Sequence, residues 1–148
     1  MFIDIRLVKN IINVLNYYMP AEKDLKILVV DDFSATRTIV INHLSKLGYS
    51  NTVEADNGFS ALARLKSGLF DLVVTDLSMS DMNGLDLLKQ LRADSDLKHI
   101  PVLMVTSEDL QVNIVNAIKA GLNDYIVRPF KAHTFKQKLE KIFFKSPF

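Results

Sequence analysis

The sequence predicts an α/β fold in which a parallel sheet is covered by helices on both faces. Three observations predict it. Short apolar runs of strand length alternate with segments of helical periodicity along most of the chain. The runs within ILVVDD (27–32), DLVVTD (71–76), IPVLMVTS (100–107) and DYIVRPF (124–130) are continuously apolar, which marks strands buried on both faces. Each run then ends abruptly on a carboxylate, a hydroxyl or a cation.

Taken in order, residues 25–30 read as the first strand. A helix over 34–47 follows, with Ile39, Val40, Leu44 and Leu47 on one face and Gly48 as its stop. Residues 52–55 form a shorter strand, and Asp56-Asn57-Gly58 a turn. The next helix covers 59–66 and stops at Gly68. A strand over 72–75 precedes a helix over 85–92. A strand over 101–105 precedes a helix over 108–120, closed by Gly121. The last pair is a strand over 125–127 and a helix over 132–144. Five such β/α units imply an open, doubly wound parallel sheet. Sites in sheets of this kind lie outside the strand carboxyl ends. Asp31, Asp32, Asp76, Thr106 and Arg128 all lie there and can converge on one crevice.

Residues 1–20 stand apart from this body, which spans 24–148. On a helical wheel, Arg6, Lys9, Asn10, Asn13 and Asn16 share one side of residues 1–18. Ile3, Leu7, Ile11, Val14, Leu15 and Tyr18 share the other, with Asp4 intruding, so the segment reads as an amphipathic helix ended by Pro20. It lacks the charge-free apolar stretch of a signal peptide. It docks on the body or a neighbouring molecule, or it precedes a start at Met19. A membrane surface is disfavoured, because its cationic face is weak.

Composition excludes several classes. The 148 residues, 49% hydrophobic, suffice for one domain with a sizeable core. A net charge of +1 gives no basic excess for nucleic acid. The chain has no cysteine, which rules out disulfides and thiolate metal sites. No apolar run approaches a bilayer span. Neither GxxxxGK[ST] nor GxGxxG occurs, so a nucleotide site has no support.

The clustered carboxylates carry the chemistry. Packed together they repel and raise one another's proton affinity, a penalty that a bound divalent cation removes. All-oxygen ligation suits Mg²⁺ better than zinc. A carboxylate can also attack phosphorus, giving an acyl phosphate, while metal and cation neutralise the phosphoryl oxygens. A hydroxyl such as that of Thr106 can hydrogen-bond one of those oxygens. A single Asp at a strand end is most often only a helix cap, but coincidence is a poor account of Asp31, Asp32, Asp76, Thr106 and Arg128 together. Ser107 and Asp56 read as cap or turn residues. His43, His99 and His133 are scattered and read as ordinary surface residues.

The order DD, TDLSMSDMNG, VTSE, RPF resembles a response-regulator receiver domain over roughly residues 24–145. Within that family, LKILVVDDFSATRTIV, NGLDLLKQLRADSDLKHIPVLMVTSE and KLEKIFF are similar to the stand-alone chemotaxis type. The resemblance implies a flavodoxin-like (βα)5 fold with strand order 2-1-3-4-5. It implies a cytoplasmic switch that catalyses only its own phosphorylation and dephosphorylation. Asp76 would be the phosphoacceptor, fed by a chemotaxis-type sensor histidine kinase. Asp32, Asp76 and the Ser78 backbone carbonyl would hold Mg²⁺, with Asp31 helping through water. Thr106 and Tyr125 would move on phosphorylation with Arg128 as the cation, and the Arg128–Pro129 bond would be cis. Ser78 and Glu108 would set the lifetime of the acyl phosphate. With no output domain after residue 148, signalling would run through protein binding. The surface would carry Gln111, Ile114, Tyr125 and Lys138, and the partners would include a flagellar motor switch protein and a phosphatase, with no nucleic acid or membrane contact. Three positions depart from the family pattern: Arg128 replaces Lys, Ser80 replaces Pro and Asn83 replaces Asp. A phosphate sink sharing a kinase, and a degenerate receiver acting as a constitutive interaction module, are the alternatives.

Overall fold

The computed structural model describes residues 3–18, 24–107 and 111–143. The chain runs α1 (Ile5–Tyr18), β1 (Ile27–Val30), α2 (Ser34–Lys46), β2 (Thr52–Ala55), α3 (Gly58–Ser67), β3 (Leu72–Asp76), α4 (Gly84–Ala93), β4 (Val102–Thr106), α5 (Gln111–Lys119), β5 (Asp124–Val127) and α6 (Ala132–Phe143). Among the described residues the strands form one parallel sheet in the order β2-β1-β3-β4-β5. β1, β3 and β4 are buried at every position, as their continuous aliphatic runs require. The order reverses at β1, which is flanked by β2 and β3. The crevice outside its carboxyl end is where such sheets place their sites.

The alternating faces of each strand build two cores. Leu28, Val30, Val73 and Met104 point into one, closed by Ala61, Leu65, Leu87, Leu88, Leu91 and Ala117 of α3, α4 and α5. Ile27, Val29, Leu72, Val74 and Leu103 point into the other, closed by Val40 and Leu44 of α2 and Phe135 and Leu139 of α6. This two-fold alternation follows from the pleat. Burying each of the Leu, Ile, Val, Phe and Met side chains among them contributes roughly 1.5–3 kcal/mol.

The structure corrects four local expectations. Ile39 is exposed, because Val40 and Leu44 already fill the buried stripe of α2. α3 starts one residue early: Asn57 is its cap, accepting from the Ser60 N–H at 2.8 Å, while Asp56 lies in the turn before it. Asp4 does not interrupt the apolar face of α1. It precedes the helix, and its carboxylate accepts the Arg6 N–H at 2.9 Å. His43 is half-buried rather than superficial, with ring centroids 5.3 Å from Phe130 and 6.0 Å from Phe135.

Gly84 opens α4 against the strand that carries Asp76. An ideal Cβ there would lie 2.2 Å from the Asp76 carbonyl oxygen and 2.9 Å from Leu77 Cα. Both obstacles are backbone and cannot rotate away. Gly84→Ala is expected to destabilise the fold by roughly 2–3 kcal/mol, despite alanine's helix propensity. The denaturant midpoint measures this, and an unchanged midpoint refutes the close packing.

Candidate functional site

β1 and β3 are adjacent, with Val30 paired to Thr75. Asp31 and Asp32 therefore leave the sheet beside Asp76. Carboxylate oxygens of Asp31, Asp32 and Asp76 lie within 4.8 Å of one another. Asp31 and Asp76 are buried and Asp32 is half-buried. β4 ends next to β3, placing the buried Thr106 at the neighbouring strand end. Its hydroxyl donates to the Ser107 carbonyl at 3.3 Å. β5 ends beside Thr106, and the Arg128 N–H donates to the Thr106 carbonyl at 2.8 Å.

The Arg128–Pro129 peptide is cis, as the resemblance implied. The Arg128 guanidinium reaches back into the crevice, with Nη2 3.4 Å from Asp31 Oδ2 and 3.3 Å from Asp76 Oδ2. Charge is still uncompensated, since three carboxylates face one cation. Burial pushes the Asp31 carboxyl up to about 6. The Asp76 and Asp32 charges add to this, while the Phe33 N–H at 2.9 Å and Arg128 oppose it.

Two features went unseen in the sequence. The Ser80 N–H donates to Asp32 Oδ2 at 3.2 Å, a bond that proline could not make. The departure from Pro thus gives Asp32 a donor. The other Asp32 oxygen, Oδ1, is buried with no hydrogen-bond partner among the described residues. The second feature is the Arg37 guanidinium, which ties α2 to the Asp31 carbonyl at 2.7 Å and to Glu54 Oε1 at 2.9 Å. No periodicity or motif signals these contacts, because the Asp32 and Asp31 bonds each involve a backbone atom placed only by the fold and the Arg37–Glu54 pair joins residues 17 apart in sequence. Asn83 caps α4 by accepting the Asp86 N–H at 2.9 Å, so the amide keeps the capping role a carboxylate would have there.

The donor set fits a hard divalent cation. It is all oxygen, it is anionic, and it includes one unpaired buried carboxylate atom. A cation of this kind supplies charge neutralisation for a phosphoryl group.

The surface residues fare less uniformly. Tyr125 is half-buried on β5 with Lys138 Nζ 5.4 Å from its ring centroid, and Lys138 is itself tied to Asp124 Oδ1 at 2.9 Å. Ile114, expected on a partner surface, is instead buried in the first core. It shares the inward face of α5 with Ala117, while Val112, Val115 and Ile118 are exposed. Ser78 is exposed, and its N–H lies 3.3 Å from Asp76 Oδ1. Glu108 and the side chain of Gln111 lie outside the described residues.

Comparisons with known proteins agree with this geometry. "Chemotaxis protein CheY-3" of Vibrio cholerae is 58% identical over 121 residues, covering 82% of this chain and 93% of that protein. "Chemotaxis protein CheY" of Pseudomonas aeruginosa is 55% identical over 119 residues, covering 80% of this chain and 96% of that one. Among solved structures, the receiver domain of a Pseudomonas aeruginosa sensor histidine kinase, with a magnesium ion coordinated in its active-site cleft, is 25% identical. It superposes with a TM-score of 0.73 and covers 80% of this chain and 97% of its own. The response regulator receiver domain model matches residues 27–140. The strand-end acids, the sheet order and this match together place the chain in the response regulator receiver domain family.

Proposed function

We propose that the chain is a single-domain, cytoplasmic response regulator of chemotaxis type, phosphorylated on Asp76 by a sensor histidine kinase and read out through protein binding. The observation that carries this reading is Asp76 itself, a buried carboxylate ending β3 beside two further acids and a guanidinium. An Asp76 oxygen attacks phosphorus, the bond to the donor breaks, and an acyl phosphate remains on Asp76. Asp32, Asp76 and the Ser78 carbonyl would hold Mg²⁺, with Asp31 assisting through water. The nearby Arg128 faces the added charge. Thr106 offers its hydroxyl once it leaves the Ser107 carbonyl, and Tyr125 moves with it. The Tyr125 and Lys138 side of β5 and α6, with α5 including Gln111, is the partner surface. Ser78 and Glu108 flank the acyl phosphate and govern its hydrolysis.

The test is phosphotransfer from a chemotaxis-type kinase, followed by binding to a flagellar motor switch protein with and without beryllofluoride. Label transfer with beryllofluoride-enhanced binding is the expected result. Absence of transfer from both the kinase and acetyl phosphate refutes the reading.

The phosphate-sink reading has one observation in its favour. Arg128 is already within 3.4 Å of both Asp31 and Asp76. A guanidinium engaged before phosphorylation changes fewer contacts afterwards, so the population shift is smaller. Arg128→Lys, with its compact charge, is expected to leave phosphate uptake within a small factor. It should enlarge the shift at Thr106 and Tyr125 about tenfold in equilibrium constant, or roughly 1.4 kcal/mol. NMR signals of the Tyr125 ring report the shift with beryllofluoride, and identical responses in both proteins remove this support for the sink.

A further inference from the structure

Among the described side chains α1 contributes none to either core, yet it carries two apolar seams. Leu7, Ile11 and Val14 follow a 4-3 spacing, and Ile5, Val8 and Ile12 follow a 3-4 spacing. Both are heptad spacings, which place each set in a line along the helix. The seams lie side by side, roughly 125° apart at about 100° per residue. All six side chains are exposed, from 39% at Val8 to 68% at Ile5. Arg6 and Lys9 lie on the opposite side of the helix, and no acidic residue occurs within it.

Three physical points identify what covers this surface. A helix of this length is marginal in water without a partner. Six aliphatic side chains at roughly 60–120 Å² each offer about 400–700 Å² per chain, so a pair sharing one seam buries only about 400–700 Å² in all, while three copies with both seams covered bury roughly 1,200–2,100 Å², above the roughly 1,000 Å² that a specific interface needs. A single helical neighbour covers one seam only, so two seams call for two neighbours. A second copy's α1 presents the same aliphatic seams, while Arg6 and Lys9 point outward and do not confront their counterparts.

We infer that α1 is a self-association element: copies of this chain assemble through it into a helical bundle, each α1 packing one seam against each of two neighbouring α1 helices. Assembly then concentrates receiver domains around a common stalk.

Sedimentation equilibrium of the full chain across a wide concentration range tests this. The expected species is a trimer or larger. Ile11→Glu and Ile12→Glu each remove one seam and should leave no more than a dimer, and the double variant should be monomeric. Lys9→Ala should leave the mass unchanged. Because the chain has no cysteine, Leu7→Cys should form intermolecular disulfides on mild oxidation, while Lys9→Cys should not. Circular dichroism melts of the variants should match the wild type, since the substituted side chains are exposed and lie outside both cores. A wild type that stays monomeric overturns the inference, including one that instead floats with anionic lipid vesicles. So does an assembly whose mass survives the double variant.

Discussion

Asp76→Asn is expected to lose all phosphoryl uptake while keeping its fold. The amide matches the carboxylate in shape but has no lone pair basic enough to attack phosphorus, so no acyl phosphate forms. Replacement by Asn also removes one of three crowded negative charges. The folded state should therefore not suffer, and a defect in uptake cannot be blamed on unfolding. The loss should be to background with both acetyl phosphate and a kinase donor, as scored by hydroxylamine-sensitive label. Label persisting on the variant would move the phosphoacceptor elsewhere, with the neighbouring Asp31 and Asp32 carboxylates the candidates.

Much of this site could be read from the chain because its residues are positioned by strand ends. A continuous apolar run fixes a buried parallel strand, and the residue after it must emerge at the carboxyl edge. Asp31, Asp32, Asp76 and Thr106 were legible for that reason. Arg128 was legible through the adjacent Pro129 and the run before it. What the sequence left open depends on rotation about an axis or on backbone atoms. Ile114 and Val115 are equally apolar neighbours, and only the packing of α5 on the sheet decides that Ile114 turns inward. Ile39 and Val40 present the same ambiguity on α2. The Ser80 N–H to Asp32 bond has no side-chain signature, although the absence of proline permits it. His43 looked isolated because its aromatic neighbours, Phe130 and Phe135, are distant in sequence and come from the other end of the chain.

Asp31→Asn is expected to stabilise the metal-free protein at neutral pH. Folding raises the Asp31 carboxyl from 3.8 to about 6, with burial the largest cause. The folded state therefore holds the proton more tightly than the unfolded chain does. The favourable contribution of this group is present in full below about 3.8 and is lost as pH rises through about 6. At pH 7 the ionised side chain is buried beside Asp76 and Asp32, at a cost that corresponds to roughly 3 kcal/mol. Asparagine removes that cost without changing the shape. The difference in stability between variant and wild type should be near zero at pH 4 and grow to roughly 2–3 kcal/mol by pH 7. Other titrating groups cancel, because only the difference between the two proteins is read. A divalent cation reverses the balance. It compensates the ionised cluster, so added Mg²⁺ should raise the wild-type midpoint strongly at pH 7 and little at pH 5. The response of Asp31→Asn should be well below the wild type's at pH 7 and close to it at pH 5. Parallel stability curves for the two proteins in the absence of metal would mean that the Asp31 proton does not report on the crevice. An equal Mg²⁺ response would take Asp31 out of the cation's surroundings and leave the charge of Asp32 and Asp76 to hold it alone.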